Sequence, residues 1–143
     1  VHVHELVDGT FPAKLELLKK VMEQAKAGFH ADVVFTHYQG DSHQDHRAVG
    51  DVTWQTFRDN LILEYEILKY DGDLGRPTAF FPVSDTAKKE KLAALQKYFG
   101  TQRDKDWFSE EVFSAMLRIR GVECRSPSGY AEAFHCRKAV FLE

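Results

Sequence analysis

Ala31-Asp32-Val33-Val34-Phe35-Thr36-His37, followed by Tyr38-Gln39-Gly40-Asp41-Ser42-His43-Gln44-Asp45-His46, is the stretch that decides the reading of this chain. Its first half carries β-branched and aromatic residues in a continuous apolar middle. That predicts a short strand of a parallel sheet, buried on both faces. Its second half turns polar. Upstream, Leu15, Leu18, Val21, Met22 and Ala25 recur at steps of three and four residues. This spacing predicts an amphipathic helix over 14–26, opened near Pro12 and ended near Gly28. Val1 to Val7 alternates in a strand-like way and is stopped by Asp8-Gly9-Thr10. Strand, helix, strand in this order predicts a βαβ unit.

Downstream, Ala48, Val49, Val52, Trp54, Phe57 and Leu61 predict a second helix over about 45–60. Residues 64–70 resemble another strand, 71–77 a loop by composition, and 79–83 a short apolar stretch. Ser84 and Asp85 are N-cap residues for a helix through Lys97, with Leu92, Leu95, Tyr98 and Phe99 in its apolar ladder. A further helix is expected over 109–120 and a last strand over 131–142. No repeat and no linker interrupts the pattern, so one α/β domain over 1–143 is expected.

Composition narrows the function classes. The chain has 143 residues, 43% of them hydrophobic and 29% charged, which excludes disordered and low-complexity classes. No apolar run approaches the roughly 20 residues of a membrane span. Lys and Arg total 19 against 22 acids, for a net charge of -3. That balance argues against nucleic acid or an anionic membrane as partner. Cys124 and Cys136 are too few for a disulfide framework and read as free thiols in a reducing compartment. His2, His4, Glu5 and Asp8 interrupt any secretory core, so a cytoplasmic location is expected.

The chemistry concentrates where the strand ends. His37, His43 and His46 fall within ten residues, with Asp41 and Asp45 among them. In open α/β sheets, sites form beyond the carboxyl ends of the strands. Neutral imidazoles ligate zinc and related metals, and a neighbouring carboxylate can fix their tautomer. An imidazole can also stabilise an oxyanion or protonate a leaving amine. Three readings stay open on spacing alone: a solvated turn with Asp capping the next helix, a catalytic or metal site built on His43 and His46, and a metal site using His37, His43 and His46 together. His2-x-His4 and His30 read as surface residues. His135 reads as core or rim. Asp71-Gly72-Asp73 reads as a turn, because no glutamate follows at the calcium-loop position. No nucleotide-binding glycine loop and no serine-hydrolase elbow occurs.

Several blocks, taken in order, resemble the PIG-L/LmbE family of metal-dependent de-N-acetylases. The strand 31–37 followed by Gly40-Asp41-Ser42-His43-Gln44-Asp45-His46-Arg47-Ala48-Val49-Gly50 is similar to that family's second motif, a His-x-Asp-His block. Gln44 stands where Pro is commoner. Tyr130-Ala131-Glu132-Ala133-Phe134 is similar to its terminal strand signature, and Arg120-Gly121 and Tyr98-Phe99 with Thr101-Gln102 fit its bacterial branch. The resemblance implies a Rossmann-like, mostly parallel sheet with flanking helices. It implies a zinc-dependent hydrolase that removes an N-acetyl group from an amino sugar, such as N-acetylglucosamine, or from a sugar conjugate. By position, His46 would be a zinc ligand, His43 the oxyanion-stabilising or acid group, and Asp45 its orienting partner. The family's opening His-Pro-Asp-Asp-Glu block does not occur here. The chain is therefore expected to correspond to the C-terminal part of the enzyme, with the N-terminal strands missing and the remaining zinc ligands upstream of Val1. A non-catalytic sugar-binding or interaction module derived from the family is the alternative. The resemblance also leaves a homo-oligomer open.

Overall fold

A computed structural model describes residues 1–28 and 30–139. Its helices are α1 (Leu15–Gly28), α2 (Gln44–Thr56), α3 (Asp85–Tyr98) and α4 (Glu110–Glu123). Its strands are β1 (Val33–His37), β2 (Leu61–Tyr65), β3 (Ala79–Pro82) and β4 (Ala131–Cys136). The strands form a sheet in the order β1-β2-β4-β3. The fold is α/β and Rossmann-like, as expected. Its contacts divide into two compact units, and β4 passes from the second into the first after Phe134.

The first unit comprises residues 1–67, 73–76 and, among the described residues, 135–139. Pro12 sits in the first turn of a 3-10 segment, Phe11–Lys14, that leads directly into α1. The missing N–H of proline costs nothing in a helix's first turn. Leu18 of α1 packs with Ala48 and Val52 of α2, and Leu6, Phe11 and Met22 surround them. β1 and β2 are parallel, with Val33 opposite Leu61 and His37 opposite Tyr65. α2 connects them, so β1-α2-β2 is the βαβ unit. It lies one element later than the sequence pattern suggested.

Three expectations need correction here. Residues 1–7 form no strand, and Val1, Val3 and Val7 are exposed. Alternation makes a strand only where a neighbouring strand takes its backbone hydrogen bonds, and none does so there among the described residues. β1 is not buried on both faces, since Val33 is 39% and Phe35 54% exposed. α2 covers the opposite face, where the Thr36 and Thr53 hydroxyls meet at 3.1 Å. Finally, β2 spans Leu61–Tyr65 rather than 64–70. Glu64 does not look like core, yet it is only 1% exposed. Its carboxylate is satisfied by the Arg137 guanidinium and the Gln39 N–H, both at 3.1 Å. A buried charge is tolerated when it is paired and hydrogen-bonded in this way.

The second unit comprises residues 68–72 and 77–134. α3 packs on α4, and β3 pairs antiparallel with β4. The Ser84 and Ser109 hydroxyls accept the N–H groups of Ala87 and Val112, which caps both helices. The last strand ends at Cys136, and residues 140–142 of the expected span lie outside the described residues. α4 approaches the turn before β4 so closely that a Cβ on Gly121 would lie 2.2 Å from the Gly129 carbonyl oxygen. Gly121→Ala is therefore expected to lower unfolding free energy by about 1–3 kcal/mol, because backbone must move to admit the methyl. Urea denaturation checks this, and an unchanged midpoint would contradict the close approach. Among the described residues, no helix is long and apolar enough to cross a membrane.

Candidate active site

The site is built where β1 ends and α2 begins. Asp41 shapes the turn between them. Its Oδ1 accepts the His43 N–H at 2.7 Å, a side-chain turn that aspartate makes readily. Its Oδ2 lies 2.9 Å from His46 Nδ1. Arg47 closes the same turn by donating to the carbonyl oxygens of Asp41 at 2.9 Å and Ser42 at 2.6 Å. Gly50 lets α2 come down onto the end of β1, because a Cβ there would meet the His37 carbonyl oxygen at 2.9 Å.

His43 is the N-cap of α2, and its Nδ1 accepts the Asp45 N–H at 3.3 Å. A ring whose Nδ1 accepts carries its neutral-state proton on Nε2. His43 thus presents an N–H donor. His46 sits one turn on, with its ring 4.5 Å from that of His43 and 4.4 Å from that of His37. The buried Asp41 carboxylate fixes Nδ1 of His46, which orients the ring as a carboxylate orients a metal-ligating imidazole. His37, at the end of β1, stacks on His46 with the ring planes 21° apart. The Tyr65 hydroxyl lies 3.3 Å from His37 Nε2. Burial pushes the Tyr65 phenol above its usual pKa, and the Asp41 charge adds to this. Tyr65 is accordingly a neutral hydroxyl at physiological pH.

The structure brings His37, His43 and His46 together, with His37 stacked on His46 and the His43 ring tilted by 30° to that of His46. Among the described residues, no group of three His, Cys, Asp or Glu side chains is placed to hold a metal ion. His46 with Asp41 suits a single ligand position. The described residues alone do not fit a zinc site, which takes three or four protein ligands.

Asp45 is buried, and its carboxylate is turned away from His43. Its oxygens accept the N–H groups of Gly9 at 2.6 Å and Phe11 at 3.1 Å. Asp45 therefore reaches His43 through its backbone N–H, while its side chain holds the segment that starts the helical run toward α1. The carboxylate beside the histidines is Asp41. Its position two residues before His43 was the available signal, since that is the spacing of an aspartate turn. Tyr65 gave no signal in the sequence, because the register of β2 brings it opposite His37.

A second cluster surrounds Tyr38. The His135 ring stacks on Tyr38 with centroids 3.8 Å apart. His135 Nε2 lies 3.1 Å from Glu66 Oε1, and that oxygen also accepts the Gly75 N–H at 2.7 Å. His135 is buried, as its place in the last strand suggested. His2 and His4 are exposed, and so is His30.

No family model matches the chain, and no curated protein matches it. Solved structures share its fold, among them the following two. The conserved protein TT1542 from Thermus thermophilus is 18% identical with a TM-score of 0.69, over 89% of this chain and 61% of its own. The antimicrobial reagent A40926 pseudoaglycone deacetylase Dbv21 is 20% identical with a TM-score of 0.69, over 96% of this chain and 64% of its own. The chain thus spans less than two thirds of the length of either.

Proposed function

We propose that this chain forms part of a zinc-dependent hydrolase that removes an N-acetyl group from an amino sugar or sugar conjugate. One observation carries the reading. At the start of α2, an Nε2–H donor on His43 stands beside His46, whose Nδ1 is held 2.9 Å from the buried Asp41 carboxylate. The fold shared with a deacetylase supports it. Zinc, when bound, supplies a Lewis acid and a water that ionises near neutral pH. His46 would be one of its ligands. His43 would donate from Nε2 to the oxygen of the acetyl carbonyl as charge develops there. Asp41 would keep His46 in one tautomer and hold the turn that sets His43. The partner is then a small N-acetylated sugar, and the location is the cytoplasm.

A second reading is a non-catalytic sugar-binding module. It is favoured by the lack of a three-donor group among the described residues. Zinc titration of the 143-residue chain, with an assay of acetate release, separates the readings from a self-contained metal hydrolase. Weak zinc binding and little turnover are expected of the chain alone. Stoichiometric zinc with turnover would overturn the reading of His46 as a single ligand position in this chain.

A further inference from the structure

The Asp41–Ser42 peptide unit, one before the unit that leads into His43, is gripped from two directions. Its carbonyl side is held from within the turn, where Arg47 donates to Asp41 O at 2.9 Å. Its amide side is held from far along the chain, where Asp73 Oδ2 accepts the Ser42 N–H at 2.6 Å. Asp73 lies in the segment after β2 and is itself fixed nearby. Two residues on, the Gly75 N–H is bound by Glu66, whose side chain is only 3% exposed and which also holds His135. Gly75 has no room for a side chain, since a Cβ there would lie 2.8 Å from both His135 Cε1 and the Tyr38 hydroxyl. The segment 73–75 is thus pinned at Gly75 and reaches the histidine turn at Asp73.

We propose that Asp73 is a positioning residue for His43. It clasps the Ser42 amide and so sets the backbone from which the His43 ring projects. A bond from a carboxylate to a backbone N–H is charge-assisted and stronger than a neutral one. With Asp41 O held by Arg47, the Asp73 carboxylate removes the freedom of the Asp41–Ser42 peptide to rotate, and that rotation would displace the Ser42 Cα and with it His43. Positioning errors of this kind are costly to catalysis even when every catalytic group is present. The consequence for rate rests on the hydrolase reading above. The clasp itself does not.

The test uses the full natural polypeptide and its Asp73→Ala and Asp73→Asn variants. Amide hydrogen exchange is read at Ser42 and His43, together with kcat, KM and Tm. In Asp73→Ala, exchange at the Ser42 amide, which loses its acceptor, is expected to speed up by about tenfold, as loss of one net hydrogen bond implies, with a smaller rise at His43. Exchange in α4 and the Tm should stay at the wild-type values. kcat should fall by about tenfold with KM within about twofold, because binding groups are untouched. Asp73→Asn keeps an acceptor oxygen and should recover most of both effects. Unchanged exchange in Asp73→Ala would overturn the proposal. So would a uniform rise in exchange with a lowered Tm, which is the mark of a merely structural residue. Local exchange as expected, with no acetate release by any form, supports the clasp and counts against the hydrolase reading.

Discussion

Replacing His43 with alanine is expected to lower kcat by about 10²-fold or more in the polypeptide that carries the full ligand set. That is the effect of losing one preorganised donor to an oxyanion. The expectation follows from the ring's state in the structure. Its Nδ1 is occupied by the Asp45 N–H, so its neutral-state proton is on Nε2. KM and zinc content should hold, because His43 is assigned no ligand role. His46→Ala should do the reverse and chiefly lower zinc occupancy, since it removes the imidazole that Asp41 orients. Steady-state kinetics and metal analysis of both variants check this. If both keep wild-type rate and zinc, the assignment of roles is wrong.

The second large effect is on stability. Asp45→Ala is expected to lower unfolding free energy by about 2–4 kcal/mol. The side chain accepts two charge-assisted bonds, from Gly9 and Phe11, each worth about 1.5–3 kcal/mol before water returns part of it. The loss should show as a lowered urea midpoint and as faster amide exchange over residues 9–14. The same variant separates two roles. If Asp45 orients His43 through its carboxylate, Asp45→Ala will cut kcat about as deeply as His43→Ala while stability holds. If the carboxylate serves the helical segment, stability falls first.

The elements that proved legible carry local chemistry of their own. α1 showed in its three-and-four spacing, α3 in the cap at Ser84, and the site in a dense run of histidines after an apolar strand. What stayed hidden depends on contacts between distant residues. Residues 1–7 carry an alternating pattern, but a strand exists only with a neighbour, and the sequence does not say which segments are neighbours. Phe35 looks like core from its type alone, whereas it lies exposed on the face of β1 opposite α2. Glu64 looks like surface, whereas Arg137, 73 positions away, makes its burial tolerable. Asp45 sits in the motif beside His43, but its side chain answers to Gly9 and Phe11. Asp41 was visible in the cluster, and only the folded turn shows that one oxygen serves His43 and the other His46.

On the proposed reading, the histidine turn at the head of α2 belongs to a zinc-dependent N-deacetylase. The most direct test measures acetate release from N-acetylated amino sugars by the endogenous protein, before and after chelation. Release that is lost with the chelator and restored by zinc is expected on that reading. No release, or release indifferent to the chelator, would contradict it.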